Sequence, residues 1–112
     1  MELKVIDKTK KTIVYIENII DNFPKNEIVL KNNLKYNLYE LLESIYYSSY
    51  LYSNDRINKL YYCLVKIKMI DLYINITFNK KIISYKKFIN ICGYLNEIVK
   101  MIYGMINYEK KR

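Results

Sequence analysis

The run Ile57-Asn58-Lys59-Leu60-Tyr61-Tyr62-Cys63-Leu64-Val65-Lys66-Ile67-Lys68-Met69-Ile70-Asp71-Leu72-Tyr73-Ile74-Asn75-Ile76-Thr77-Phe78 decides the fold. Ile57, Leu60, Leu64, Ile67, Ile74 and Phe78 recur at alternating steps of three and four, with Asp71 in the remaining place. That spacing holds one face of an α-helix toward a partner, whereas a half-buried strand would alternate every second residue.

The same period recurs three more times. Upstream it runs Ile6, Thr9, Ile13, Ile16, Ile20, Phe23, and Pro24 stops it by disfavouring helix in the residue before it. A second seam is Leu30, Leu34, Leu38, Leu41, Ile45, Ser48, Tyr52, ending at Ser53-Asn54, where Ser53, Asn54 and Asp55 can each cap the helix that follows. After Asn79-Lys80-Lys81, Ser84 is placed to cap a last helix with the seam Tyr85, Phe88, Cys92, Leu95, Val99, Ile102, Ile106. The four helices are expected at about 7–22, 27–52, 55–78 and 84–108, with Met1 to Val5 and Glu109 to Arg112 as frayed ends. Short connections make neighbours antiparallel, so the prediction is an all-α, up-down four-helix bundle forming a single domain over residues 1–112.

Composition agrees. Two glycines and one proline in 112 residues are too few for an all-β chain, which needs frequent turns. Ala, His, Gln and Trp are missing, while Lys, Ile, Asn and Tyr are abundant. Those four have AT-rich codons, so a genome of low GC content accounts for the 14 tyrosines and for 17 lysines against 2 arginines. The placement of charge is more informative. Between Ile57 and Asn96 stand Lys59, Lys66, Lys68, Lys80, Lys81, Lys86 and Lys87 against Asp71 alone, giving +6 of the total +8. Such a balance draws a protein toward phosphate backbones or other anionic partners. Lys4, Asp7 and Lys8 interrupt any apolar start, and no apolar run reaches membrane-spanning length, so a cytoplasmic protein without a membrane partner is expected. Lysines spread over several helices also argue against binding to an anionic membrane surface. Cys63 and Cys92 are read as two buried thiols, since their spacing fits neither a metal nor a redox motif.

With Ile57 at heptad position a, apolar groups surround the third helix: Cys63 and Ile70 at g, Val65 and Leu72 at b, Tyr61 at e, Tyr62 and Met69 at f. A helix apolar all round is expected to be buried, so its second side is read as a contact between copies of the chain. Tyr94, Met101 and Tyr108 at the c positions of helix four extend that reading. The alternative is that tyrosine and methionine on this side are simply solvated. Asp71, inside the seam, either meets a lysine or tyrosine of a neighbouring helix or lies at the bundle rim.

Catalytic residues are not expected. Without histidine there is no Ser-His-Asp or Cys-His system and no Glu-x-x-His di-iron site, and no metal or cofactor is expected. Gly93 and Gly104 are isolated, so no phosphate-binding glycine loop exists. Glu40 and Glu43 read as a solvated acidic face. Lys59, Lys66 and Tyr73 fall at successive c positions about 10 Å apart, with Tyr62 and Met69 beside them and Lys68 at e. Cations interleaved with tyrosine can hold phosphates while rings stack on bases, although a solvated lysine face looks similar.

The chain resembles the accessory variability determinant (Avd) proteins of diversity-generating retroelements, within the small four-helix-bundle proteins related to those of 23S ribosomal RNA intervening sequences. The resemblance spans about Thr9 to Tyr108. It is carried by Phe23-Pro24-Lys25, by Leu38-Tyr39-Glu40-Leu41-Leu42-Glu43-Ser44-Ile45 and by the basic stretch Lys66 to Leu72. Ile82-Ile83-Ser84-Tyr85, Asn96-Glu97-Ile98 and Ile102-Tyr103-Gly104-Met105-Ile106 complete it. Met105 stands where the family usually has Trp, and Lys66 and Lys68 replace expected arginines, keeping charge but losing bidentate geometry. The Asn-Ile-Ala-Glu-Gly signature of the intervening-sequence branch is missing, which favours the Avd branch.

The resemblance implies a barrel-shaped homopentamer with a basic surface. Such an accessory protein binds nucleic acid, template RNA or DNA, together with a reverse transcriptase, and supports mutagenic reverse transcription. Lys59, Lys66 and Lys68 are the first candidates for phosphate contact, followed by Lys31, Lys35, Lys86 and Lys87. Tyr61, Tyr62, Val65, Met69, Leu72, Tyr94 and Met101 are the candidates for the contact between copies. The alternative function is a protein-interaction or structural module of the intervening-sequence type that binds no nucleic acid.

Overall fold

The computed structural model describes residues 2–112, and these form four α-helices. They are α1 (Glu2–Ile20), α2 (Ile28–Ser48), α3 (Ser53–Asn79) and α4 (Tyr85–Lys110), with a 3-10 turn at Lys25–Glu27 before α2. Each helix packs on its chain neighbours, and α1 closes the ring against α4. Cross-bundle ties run in opposite chain directions: Asp21 with Lys35, Glu27 with Lys80, Arg56 with Glu109 and Lys8 with Glu97. The result is an antiparallel up-down rod of 47 × 23 × 20 Å.

The seams of α1 and α2 hold. Thr9, Ile13, Ile16 and Ile20 are buried from α1, and Leu30, Leu34, Leu38, Leu41, Ile45 and Ser48 from α2. Thr9 and Thr12 enter the core because their hydroxyls donate to the carbonyls of Val5 and Lys8. In α3 and α4 the buried face is turned by one heptad position. Cys63, Ile70 and Thr77 point inward beside Leu60, Leu64, Ile67 and Ile74. In α4, Ile91, Ile98 and Met105 do so beside Leu95, Ile102 and Ile106. Asp71 therefore lies exposed at the rim, and Tyr85 is 66% exposed rather than part of a seam. Cys63 is buried as expected, but the turn leaves Cys92 half-buried.

Helix ends differ from expectation for local reasons. α1 starts at Glu2, five residues before the expected boundary, because Val5 is fully buried and anchors the first turn. It stops at Ile20, where Asn22 and Phe23 donate to the carbonyls of Ile19 and Ile20 in tight i+3 turns. α2 ends at Ser48, not at 52. There the Ser48 and Ser49 hydroxyls donate to the carbonyls of Ile45 and Tyr46, and i+3 bonds from Ser49, Tyr50 and Leu51 tighten the chain out of the helix. Tyr52 consequently points into water. α3 closes with a Schellman arrangement: Lys81 takes a left-handed φ of 61° and donates to Phe78, while Ile82 donates to Thr77. Ser84 caps α4 as expected, its Oγ accepting from the Lys87 N–H.

None of Ser53, Asn54 and Asp55 caps α3 with its side chain: the residue before the helix is Tyr52, which makes no capping bond, and Ser53 has φ 51°. The cap comes from the other end of the chain. Glu109, placed by sequence in a frayed tail, is buried inside α4, and its carboxylate accepts from the Ser53 N–H at 3.3 Å and from Arg56 at 3.2 Å. Arg112 stands 3.6 Å away on its outer side. A carboxylate at a helix N-terminus answers both the unbonded N–H groups and the positive end of the dipole.

Two outcomes follow from these placements. Glu109→Gln, which removes the negative charge that faces the α3 N-terminus, Arg56 and Arg112, is expected to lower unfolding free energy by about 1 kcal/mol in urea titration. Burial pushes the Cys63 thiol up to about 12, while Cys92 is raised by its partial burial and by the nearby Asp71 carboxylate. Near pH ~8 an alkylating reagent should therefore mark Cys92 in the native protein and Cys63 only after unfolding, as read by mass spectrometry.

Candidate nucleic-acid interface

The up-down order brings the α1–α2 and α3–α4 connections to the same end of the rod, tied by Lys80 Nζ at 3.1 Å from both Glu27 oxygens. Seven lysines gather there: Lys25 on the 3-10 turn, Lys31 and Lys35 in the first two turns of α2, Lys80 and Lys81 where α3 ends, and Lys86 and Lys87 at the start of α4. Only Asp21 and Glu27 oppose them, so this end carries a net +5. Asp21 pairs with Lys35 at 3.6 Å and Glu27 with Lys80, which leaves five lysines unpaired with carboxylate among the described residues. Neither α2 nor α4 has an acid in its first turn. Lys86 and Lys87 thus stand at the positive end of the α4 dipole, a position that disfavours cations by roughly 0.3–1 kcal/mol each. A bound phosphate relieves that repulsion. Beneath them, Phe78 stacks on Phe88 at 4.4 Å and meets Tyr85 at 6.0 Å, bracing the end.

The three first-choice lysines part company. Lys59 and Lys66 lean toward α2, whereas Lys68 sits on the opposite flank of α3. There it lines a shallow cleft of about 230 Å³ with Asp71, Asn96, Tyr103 and the apolar floor Leu64, Ile67, Leu95 and Val99. On the α2 side, Lys59 Nζ lies 4.9 and 4.7 Å from the Tyr47 and Tyr62 rings, and Lys66 Nζ 5.2 and 5.4 Å from the Tyr62 and Tyr36 rings. Tyr62 donates to Glu40 Oε1 at 3.1 Å. Of the second group, Lys31, Lys35, Lys86 and Lys87 all fall within the basic end. Lys80 and Lys81, grouped with Lys86 and Lys87 in the basic segment of the sequence but not among its site candidates, join them here, as does Lys25.

The residues assigned to a contact between copies also divide. Tyr61, Val65 and Leu72 lie on the outer side of α3, 41%, 57% and 49% exposed. Met69 is half-buried beside them, and Tyr62 belongs to the α2 side. Tyr94 faces α1 instead, edge-on to Tyr15 at 5.2 Å and under Lys8, while Met101 is half-buried against the core. On the α1–α2 side Tyr39 donates to Glu17, and that carboxylate raises the phenol pKa by holding its proton.

Among the described residues no cluster of acids and cysteines is placed to hold a metal ion, and no helix is long and apolar enough to cross a membrane. Fold and surfaces together define a small, basic four-helix-bundle protein. More narrowly, the chain belongs to the bAvd-like family, whose model matches residues 4–109. The fold is also similar to that of a protein of unknown function from the S23 ribosomal protein family of Bacteroides thetaiotaomicron VPI-5482. The TM-score is 0.84 at 18% identity, over 95% of this chain and 97% of that one. A search of curated proteins gives no match.

Proposed function

We propose that this protein is the accessory subunit of a diversity-generating retroelement, a cytoplasmic homo-oligomer that binds template RNA and the reverse transcriptase through basic surface. Family membership supplies the context. The observation that carries the nucleic-acid part is the basic end, where five unpaired lysines crowd together and two of them oppose a helix dipole. Such an excess of surface cations without carboxylate partners attracts an external polyanion. Lys81, Lys86 and Lys87 are the central contacts, with Lys25 and Lys31 at their margin. The exposed stripe Tyr61, Val65 and Leu72 is the contact between copies.

The test is fluorescence anisotropy of a labelled structured RNA at ~50 and ~200 mM salt, where affinity is expected to fall by orders of magnitude. In Lys81→Gln/Lys86→Gln/Lys87→Gln the slope of log affinity against log salt should shrink by about three, one per lost phosphate contact. A folded triple variant with unchanged affinity and slope would remove this site. An unaltered protein that binds no RNA even at the lower salt returns the reading to a protein-only module.

Self-association has its own readout. Light scattering should give a mass above one chain, and Val65→Glu/Leu72→Glu should drop it toward the monomer with the helical circular dichroism unchanged. A monomeric unaltered protein contradicts this part of the reading.

A further inference from the structure

The groove between α2 and α3 is built differently from the basic end. On α2, Tyr36, Glu40, Glu43 and Tyr47 follow one another at steps of four, three and four, which aligns them on one stripe. Lys59, Tyr62 and Lys66 face them from α3, and side chains alternate along the groove in the order Tyr47, Lys59, Tyr62, Lys66, Tyr36, with neighbouring cation-to-ring distances of 4.7 to 5.4 Å. The central ring is fixed by its bond to Glu40. The two end rings are open, Tyr36 at 61% and Tyr47 at 55% exposure.

Two lysines and two glutamates leave this groove without net charge, yet polarised across its width: cations on α3, carboxylates and end rings on α2. A ligand that offers only phosphates gains little from such a surface. An unpaired strand gains more, since its backbone is attracted to the α3 lysines and repelled by Glu40 and Glu43, which turns its bases toward the α2 rings. A duplex keeps its bases stacked on one another and has no free face for a tyrosine. We infer that this groove takes unpaired nucleic acid, with bases stacked on Tyr36 and Tyr47 and intervening phosphates held by Lys59 and Lys66. The inference rests on the nucleic-acid reading above and adds strand state to it.

The experiment compares labelled oligouridylate of about 12 nucleotides with a duplex of equal length, at ~200 mM salt where phosphate-only binding is weak. The unaltered protein should hold the single strand more tightly than the duplex. Tyr36→Leu/Tyr47→Leu should weaken single-strand binding by at least about fivefold per ring while duplex binding and salt slope stay as they were, and Tyr36→Phe/Tyr47→Phe should bind as the unaltered protein does. Equal affinity for both strands, or a folded leucine variant that binds the single strand undiminished, overturns the inference and leaves the basic end untouched. Loss of all binding at ~50 mM salt instead removes the reading on which both depend. The strand comparison needs no variant, so misfolding of the leucine pair does not blunt the test.

Discussion

Burial of Cys63, Ile70 and Thr77 together with Leu60, Leu64, Ile67 and Ile74 sets the rotation of α3 about its own axis, and the surfaces of the bundle follow from that setting. Residues three and four apart share a face, so a turn of one heptad position moves whole stripes at once. Turning the Cys63 side inward carries Asp71 out to the rim, points Lys59 and Lys66 at α2 and leaves Lys68 beside α4. It also brings Tyr61, Val65 and Leu72 to the side facing away from the core. Cys63, Ile70 and Thr77, each small or β-branched, fill the places that this rotation turns inward. The full burial of Cys63 is one visible consequence.

Two electrostatic regimes coexist on this rod. At the loop end, cations outnumber carboxylates and two of them oppose a helix dipole, so attraction there is long-ranged and falls with salt. Along the α2–α3 groove the charges cancel and the rings remain, so any attraction is short-ranged and set by contact. Lysine over a tyrosine face is worth about 0.5–1 kcal/mol at an exposed site, enough to order the groove but not to dominate the packing of α2 on α3. The buried Leu and Ile side chains do that, each contributing roughly 1.5–3 kcal/mol.

The bundle itself was legible because a period of three and four survives even a composition dominated by Ile, Lys, Asn and Tyr. α1 and α2 could be oriented as well, since their buried Ile and Leu side chains follow one three-and-four seam. α3 and α4 could not: with apolar residues at a, d, g and b of α3 and at a, d, g and c of α4, several rotations bury comparable area, and contacts with other helices choose between them. Glu109 was illegible for a different reason. Nothing near it in sequence marks it as a cap, since its partners Ser53 and Arg56 lie more than fifty residues away. The lysines of the basic end were visible singly, but only the up-down topology brings Lys25 and Lys31 beside Lys81, Lys86 and Lys87. Tyr36 and Tyr47 were hidden among 14 tyrosines, so only their distances to Lys66 and Lys59 single them out.

The outer stripe of α3 lies where assembly of copies would bear on binding. It runs between the tyrosine–lysine groove on the α2 side and the Lys68 cleft on the α4 side. Copies joined along it would carry one groove per protomer at a fixed repeat, with every basic end set by the same symmetry operation. A weak, charge-neutral groove gains most from such repetition, because the second and later contacts of one strand become intramolecular and their effective concentration rises. The basic end gains less in selectivity, since added phosphate contacts strengthen binding to any polyanion. Oligomerisation on this stripe would therefore amplify the proposed ring-based contact, the kind of contact that would distinguish strand states.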